Sequence, residues 1–400
     1  MTRLLGRALA GIVLLAMAGS LIWYGIWTNR VASKDLDFIK EHSSTELFPE
    51  ALILKGNLAY YVDLDPESAI GYYRRAISSQ PLLIDAWLAL AKIRLTEGRE
   101  EQARETVGTL APLIAHVSTW KWQELLLAYE MRDDDYFTDC FNFILARLPQ
   151  RVKETCYLAL SYWGSWEAGL AHLAPEARTV YLNELMKAKQ ADVALALWKE
   201  MEASPEPPDE KLKLSFCQFL LGNGRVGAAK EVWKSSRQSG DKLMQDGGFE
   251  SLPLNAGFGW RWDRHPEVVV ERSLEAPHAG AYSLHLHFRG TKNLSFGHVT
   301  QIIPVEPGKA YRLKFAQKSR NLTTDQGVFL AVSGYRCKGL SVLSEAVLGT
   351  RRWGEEELEF TVPDACEAIS LQVRRKESLK FDSKIAGDYW LDALELEEKG

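Results

Sequence analysis

The sequence predicts a multidomain chain with an N-terminal transmembrane helix, an all-α helical-repeat solenoid and a C-terminal all-β sandwich. Three observations carry this. Residues 8–29 hold no charged side chain between Arg7 and Arg30. A self-similarity at 34 residues begins near residue 50. After Gly240 the apolar period changes from helical to alternating.

The uncharged run is 22 residues long. As a helix it would measure roughly 33 Å, enough for a hydrocarbon core of about 30 Å. Trp23, Tyr24 and Trp27 fall where an aromatic belt would meet the far headgroups. A cleaved signal peptide is the competing reading, because Ala16-Met17-Ala18 has the small-x-small form of a cleavage site. The run continues past it through Leu21, Ile22 and Ile26, which favours an uncleaved anchor. No cysteine lies near it, which excludes a lipoprotein site. Arg3 and Arg7 in a short arm suit a cytoplasmic N-terminus and an exported body. The expected organisation is a cytoplasmic arm over 1–7, the span over 8–29, helical repeats over 45–240 and a β domain over 243–398. The expected location is the cell inner membrane, single-pass, with the bulk periplasmic or extracytoplasmic.

A formal charge of −5 offers no basic field, so nucleic acid is not an expected partner. The cysteines, Cys140, Cys156, Cys217, Cys337 and Cys366, form no CxxC pair, and metal clusters are unsupported. Cys337 and Cys366 could pair in an oxidising compartment or stay as two buried thiols.

At a shift of 34 residues Ala69 aligns with Ala103, Tyr73 with Val107 and Ala76 with Leu110; Ile53 aligns with Trp87 and Asn57 with Ala91. Each copy reads as helix, polar turn, helix. Small Ala69 and Ala103 let the second helix close on the first, while Tyr73, Trp87 and Leu90 fill the groove. Pro81 ends the first pair. These residues resemble the tetratricopeptide repeat over 50–83 and 84–117, with Asn57 and Ala115 departing from its pattern. Helical pairs continue over 120–131 and 136–148, 154–166 and 177–187, 191–201, then 209–221 and 226–235. The resemblance implies a scaffold whose groove holds a protein partner; a plain spacer is the alternative. The abundant aromatics of 120–166 read as core packing.

In the last part, Tyr282, Leu284, Leu286 and Phe288 share one face of a strand, and Tyr311, Leu313 and Phe315 one face of another. Further strands are expected over 328–332, 356–362, 368–374 and 390–396. Eight or nine such strands indicate an antiparallel sandwich. The series Asp246-Gly247-Gly248-Phe249-Glu250, Gly259-Trp260, Gly280-Ala281-Tyr282-Ser283-Leu284, Val305-Glu306-Pro307-Gly308 and Trp390-Leu391-Asp392 resembles the jelly-roll carbohydrate-binding modules of bacterial polysaccharide enzymes. The resemblance spans about 150 residues.

Sugar recognition needs flat apolar faces and planar polar groups. The candidates are Trp260, Trp262, His285, His287, Gln301, Tyr335, Gln372 and Arg374. For each, core packing or a solvated strand position is the competing reading. His285-x-His287 lacks a third ligand at metal spacing. The resemblance also implies a structural calcium, with Glu250 and Asp392 at the matching positions; their oxygens suit a hard cation. No other cofactor is expected.

No GxSxG, P-loop, HExxH or dinucleotide fingerprint occurs. The acidic pairs Asp263 with Glu267 and Glu355 with Glu357 are the nearest approach to glycosidase carboxylates. The function expected is therefore a non-enzymatic, membrane-anchored adaptor. Its repeats would bind a protein and its jelly roll a glycan, in assembly or export of a cell-surface polysaccharide. The alternatives are a purely protein-binding scaffold without glycan affinity, and a polysaccharide hydrolase.

Overall fold

The computed structural model of the chain describes residues 2–399 apart from Ser239, Asp241, Ala276 and Asp382, and for residues 2–12 the backbone alone. The chain divides into two compact units, residues 1–184 and 185–400.

The first unit opens with α1 (Thr2–Ala32) and a short α2 (Leu36–Glu41). The expected membrane span is overturned here. Among the described residues no helix is long and apolar enough to cross a membrane. Gly19, Ser20, Gly25, Thr28 and Asn29 dilute the apolar run, and its last turns are packing surface. Val31 is buried with Ile39, Phe48 and Ala51, and Trp27 packs on that cluster. Trp27 meets Phe38 and His42 edge-on, at 4.9 and 5.4 Å between ring centres. Trp27 is thus held by protein rather than forming a headgroup belt. Arg3, Arg7 and positions 8–12 of the expected span have no described side chains.

Helical hairpins follow: α3 (Pro49–Tyr61) with α4 (Pro66–Ser79), α5 (Ile84–Thr96) with α6 (Glu100–Ile114), and α7 (Lys121–Met131) with α8 (Asp134–Arg147). Local chemistry sets their starts. The Asp65 carboxylate accepts the Ser68 N–H at 3.0 Å with Pro66 in the first turn, and Asp133 caps α8 through the Tyr136 N–H. The repeat positions are core: Ala69, Tyr73 and Ala76 are buried, as are Ala103, Val107 and Leu110. Asn57 departs from the small-residue pattern because it accepts the Tyr73 hydroxyl at 2.8 Å. Its neighbour Gly56 supplies the close approach, since a Cβ there would lie 2.5 Å from the Tyr73 ring. The helix expected over 154–166 is two helices, α9 (Val152–Trp163) and α10 (Trp166–Leu170). Gly164 turns left-handed at φ 87° to end the first, and the Ser165 hydroxyl caps the second. α11 (Arg178–Lys187) follows.

The second unit joins α12 (Ala191–Glu202), α13 (Glu210–Gly222) and α14 (Val226–Lys234) to a β sandwich. Among the described residues its strands are β1 (Val268–Ser273), β2 (Ser283–Arg289), β3 (Phe296–Pro304), β4 (Ala310–Leu322), β5 (Val328–Gly334), β6 (Ser341–Leu343), β7 (Gly349–Thr361), β8 (Ala368–Arg375) and β9 (Ala386–Glu398). They form a five-stranded sheet, β1-β2-β9-β4-β7, and a four-stranded sheet, β3-β8-β5-β6, with antiparallel neighbours throughout. Inward residues of both, among them Leu284, Leu286, Tyr311, Leu313, Leu330, Leu371 and Tyr389, make one core. The helices fasten to the sandwich at several points. The Tyr335 hydroxyl donates to Leu221 O at 3.0 Å, Arg336 to Gly222 O, and Arg261 to Gln218 Oε1 at 2.7 Å. Trp233 meets Phe258 edge-on at 5.7 Å and packs where Gly257 (φ +56°) leaves no room for a Cβ. Residues 191–235, which read as the end of the repeat, thus share a unit with the sandwich.

Cys337 and Cys366 form a disulfide, and Gly334 beside it has no space for a side chain. The bridge closes a loop of 29 residues. The loop-entropy relation gives about 3–4 kcal/mol for that length. Mild reduction is therefore expected to lower the denaturation midpoint of the second unit; an unchanged midpoint would show that the bridge adds nothing.

Candidate functional site

Alternation along β9 decides where the polar chemistry gathers. Tyr389 and Leu391 point into the core, so Asp388 and Trp390 lie on the outer face of the five-stranded sheet. The register lines up neighbours there. One row runs Glu271, His285, Trp390, Lys318, and the next Val269, His287, Asp388, Arg320.

The His285 ring stacks on Trp390 at 4.7 Å and 15°. Its nitrogens reach Glu271 at 3.1 Å and Asp388 at 3.0 Å. His287 Nδ1 lies 2.8 Å from Asp388 Oδ1, and Arg320 donates to Asp388 Oδ2 at 3.2 Å and to Glu275 at 2.9 Å. Lys318 Nζ and the Arg320 guanidinium stand 4.8 and 5.0 Å from the Trp390 ring centre. Burial alone would push Asp388 up, but hydrogen bonds from His287, His285 and Arg320 together hold its carboxyl below the ordinary range.

On the same face a β-bulge between Lys314 and Ala316, opposite left-handed Ala393 (φ 51°), breaks the β4–β9 ladder. A cavity of about 530 Å³ opens there, lined by His278, Lys314, Ala316, Glu355, Glu357 and Glu395 among others. His278 Nε2 is 3.4 Å from Glu355, and the Trp353 ring meets the His278 ring at 5.5 Å. The face thus offers a half-buried indole beside a concave site rimmed by carboxylates, an ammonium and an imidazole. Such groups can stack on a ring and hydrogen-bond its hydroxyls.

The residues singled out from the sequence lie in several places. His285 and His287 belong to this face. Trp260 is buried in the core, its Nε1 donating to Asp246 O at 3.0 Å, so its ring is closed to solvent. Trp262 packs half-buried on the core, 6.3 Å from Phe249. Gln301 is fully buried and donates to Gln245 O and Phe258 O, pinning the entering segment to the sheet. The hydroxyl of Tyr335 is engaged by Leu221. Gln372 and Arg374 lie on the outer face of the other sheet, opposite Ala331 and Phe329. Sequence reasoning missed Lys318, Arg320, Trp353, Asp388 and His278. For Asp388 the outward positions of 386–396 were the available signal.

Glu250 and Asp392, the pair that the resemblance names for a calcium, both lie beside Gly248. Asp392 Oδ1 and Glu250 Oε1 each lie 3.9 Å from where a Cβ would sit on Gly248, and a Cβ at Gly280 (φ +65°) would run into Glu250. Glu250 accepts the N–H groups of Ala281 and Tyr282, and Asp392 those of His278 and Ala279. Asp392 is fully buried; burial pushes it above the ordinary carboxylate range, and the N–H groups of Ala279, Ala393 and His278 offset this only in part. Among the described residues no three or more His, Cys, Asp or Glu are placed to hold a metal ion, so further ligands would be main-chain oxygens. The pair fits a hard cation, which would supply the positive charge Asp392 lacks. Millimolar calcium is expected to raise the thermal midpoint, EDTA to lower it, and Asp392→Asn to abolish the response. A midpoint indifferent to all three would leave the pair a backbone latch only.

No family profile matches the chain, and no curated protein does. Solved structures similar to it include carbohydrate-binding modules and a bacteriophage tailspike protein. A family 16 carbohydrate-binding module is 19% identical over 39% of this chain and 100% of its own, at a TM-score of 0.28. A family 61 module solved with β-1,4-galactotriose is 19% identical over 40% of this chain and 100% of its own, at 0.29. A family 22 xylan-binding domain from Paenibacillus barcinonensis is 16% identical over 41% of this chain and 97% of its own, at 0.27.

Proposed function

We propose that the chain is a non-catalytic adaptor whose β sandwich binds a glycan across the outer face of the five-stranded sheet. The helical hairpins, which resemble tetratricopeptide repeats, bind a protein partner. The observation that carries the glycan reading is the 530 Å³ cavity at the β4–β9 bulge, with Trp353 against its His278 wall and polar groups around it. The order of sequence motifs from Asp246 to Asp392 supports the same reading. The Cys337–Cys366 bridge supports work in an oxidising, extracytoplasmic compartment. Assembly or export of a cell-surface polysaccharide is the process such an adaptor would serve. Glu250 and Asp392 would hold a cation that stiffens the 278–282 segment bordering this face.

Affinity electrophoresis of the full chain through gels containing soluble polysaccharides tests this. Retardation by at least one polymer is expected. Trp353→Ala should weaken it about tenfold, which is about 1.4 kcal/mol, while the circular dichroism spectrum stays the same. No retardation across neutral, acidic and amino-sugar polymers contradicts the reading. Release of reducing ends by the purified chain would replace it with a hydrolase.

A further inference from the structure

The sandwich carries an open backbone edge that the glycan face does not use. β9 is flanked by β2 only from Ala386 to Leu391, whereas β4 accompanies it to Glu398. Beyond Leu391, then, no strand among the described residues lies on that side of β9. The phase of the ladder tells which groups point there. Lys399 N donates to Ala310 O at 2.8 Å, so residues 395, 397 and 399 turn their main chain toward β4. Residues 394, 396 and 398 turn theirs away. The Leu394 N–H is met by Gly247 O at 2.9 Å, and among the described residues no backbone group meets Leu396 or Glu398 on that side.

A cavity of about 620 Å³ lies along this edge, with residues 242–248 as its far wall and residues 393–398 as its near wall. The Lys242–Glu395 ion pair crosses it at 3.2 Å, but both side chains are well exposed, so opening it costs little. The side chains flanking the edge alternate. Leu394 and Leu396 point into the core, where Leu243 and Met244 also pack. Glu395 and Glu397 lie on the outer face, and Glu397, like Glu395, is held by a lysine, Lys314 Nζ at 2.8 Å, in a solvent-exposed pair that a basic peptide can exchange at little cost. A strand laid beside them meets apolar groups on one side and carboxylates on the other.

We propose that an extended peptide segment of a partner protein, with basic and apolar side chains in alternation, adds to β9 as a strand at Leu396 and Glu398. Main-chain hydrogen bonds supply the attachment and the two glutamates the choice of charge. This goes beyond glycan binding and assigns the sandwich a second, protein-directed surface.

The test is fluorescence anisotropy of the full chain with a labelled, end-capped hexapeptide of alternating lysine and valine. Saturable binding is expected. A peptide with glutamate in place of lysine should bind at least tenfold more weakly. So should one N-methylated at the three residues whose N–H groups would face β9. Glu398→Pro removes one edge-facing N–H, which has no partner on that side, and should cost at least tenfold in binding with little change in unfolding midpoint. Glu397→Lys leaves the backbone whole and should also weaken the lysine peptide tenfold. Absence of saturable binding overturns the proposal, as does equal binding of the N-methylated peptide, which would show charge attraction without strand addition. Equal binding by both variants would overturn it as well.

Discussion

Glu124→Ala is expected to destabilise the first unit by about 3–5 kcal/mol, because it strands a buried ammonium. Lys121 and Glu124 lie one turn apart on α7, with Nζ 2.9 Å from Oε2 and side chains only 7% and 0% exposed. The other carboxylate oxygen accepts the Tyr136 hydroxyl at 2.7 Å, which ties α7 to α8. Lys121 also stands 5.1 Å over the Phe143 ring. Burial drives the Tyr136 hydroxyl far above the ordinary phenol range, with Cys140 and Glu124 adding to it, so it stays a donor. Tyr136→Phe should cost less, about 1–2 kcal/mol, since it removes one hydrogen bond and no charge. The informative comparison is the double replacement Lys121→Met with Glu124→Leu. It removes both charges and should recover most of the loss, because well-packed apolar groups can replace a buried pair at little cost. Urea unfolding followed by circular dichroism measures all four proteins. A Glu124→Ala loss under about 1 kcal/mol would show that water reaches the pair.

Arg375→Ala is expected to loosen one end of the sandwich, again by about 3–5 kcal/mol. Arg375 is fully buried at the end of β8. Its guanidinium donates to Asn293 Oδ1 at 2.9 Å, to Leu294 O, to Gln326 O at 3.2 Å and to Ser383 O at 2.8 Å. Three loops are thereby pinned by one planar fork, and each acceptor is a neutral oxygen. Burial lowers the Arg375 pKa, with Glu377 and Asp325 opposing. Without the side chain these oxygens lose their donor in a dry site. Arg375→Lys should not restore stability, because a point ammonium cannot span the same set. Amide exchange should rise at residues 293–294, 326 and 383 in both variants. Unchanged exchange there would mean that the loops hold without the arginine.

The sequence disclosed periodic features and hid those assembled across the sheet. The 34-residue shift placed Ala69 and Ala103 in the helix contacts because packing in a hairpin repeats locally. Strand alternation exposed the inward Leu284, Leu286 and Phe288 for the same reason. The row Glu271, His285, Trp390, Lys318 was not legible, since its members are brought together by register across four strands. Trp260 and Gln301 look like surface ligands in a linear reading, yet both close the sandwich from inside. The run over 8–29 is misleading for another reason: charge-free is not the same as uniformly apolar, and its Trp27 serves a protein contact. The break at Gly164 and Ser165 turned on one left-handed residue and one cap inside an otherwise continuous helical pattern.

A sugar settling on the outer face of the five-stranded sheet can be followed directly through the chain's 13 tryptophans. Indole N–H signals in a nitrogen–proton correlation spectrum can be followed as a retarding polysaccharide's oligosaccharide is added, with Trp353→Phe and Trp390→Phe used for assignment. The half-buried Trp353 signal is expected to move, while those of the fully buried Trp198, Trp260 and Trp390 stay still. Shifts confined to other indoles, or none at saturating sugar, would contradict it.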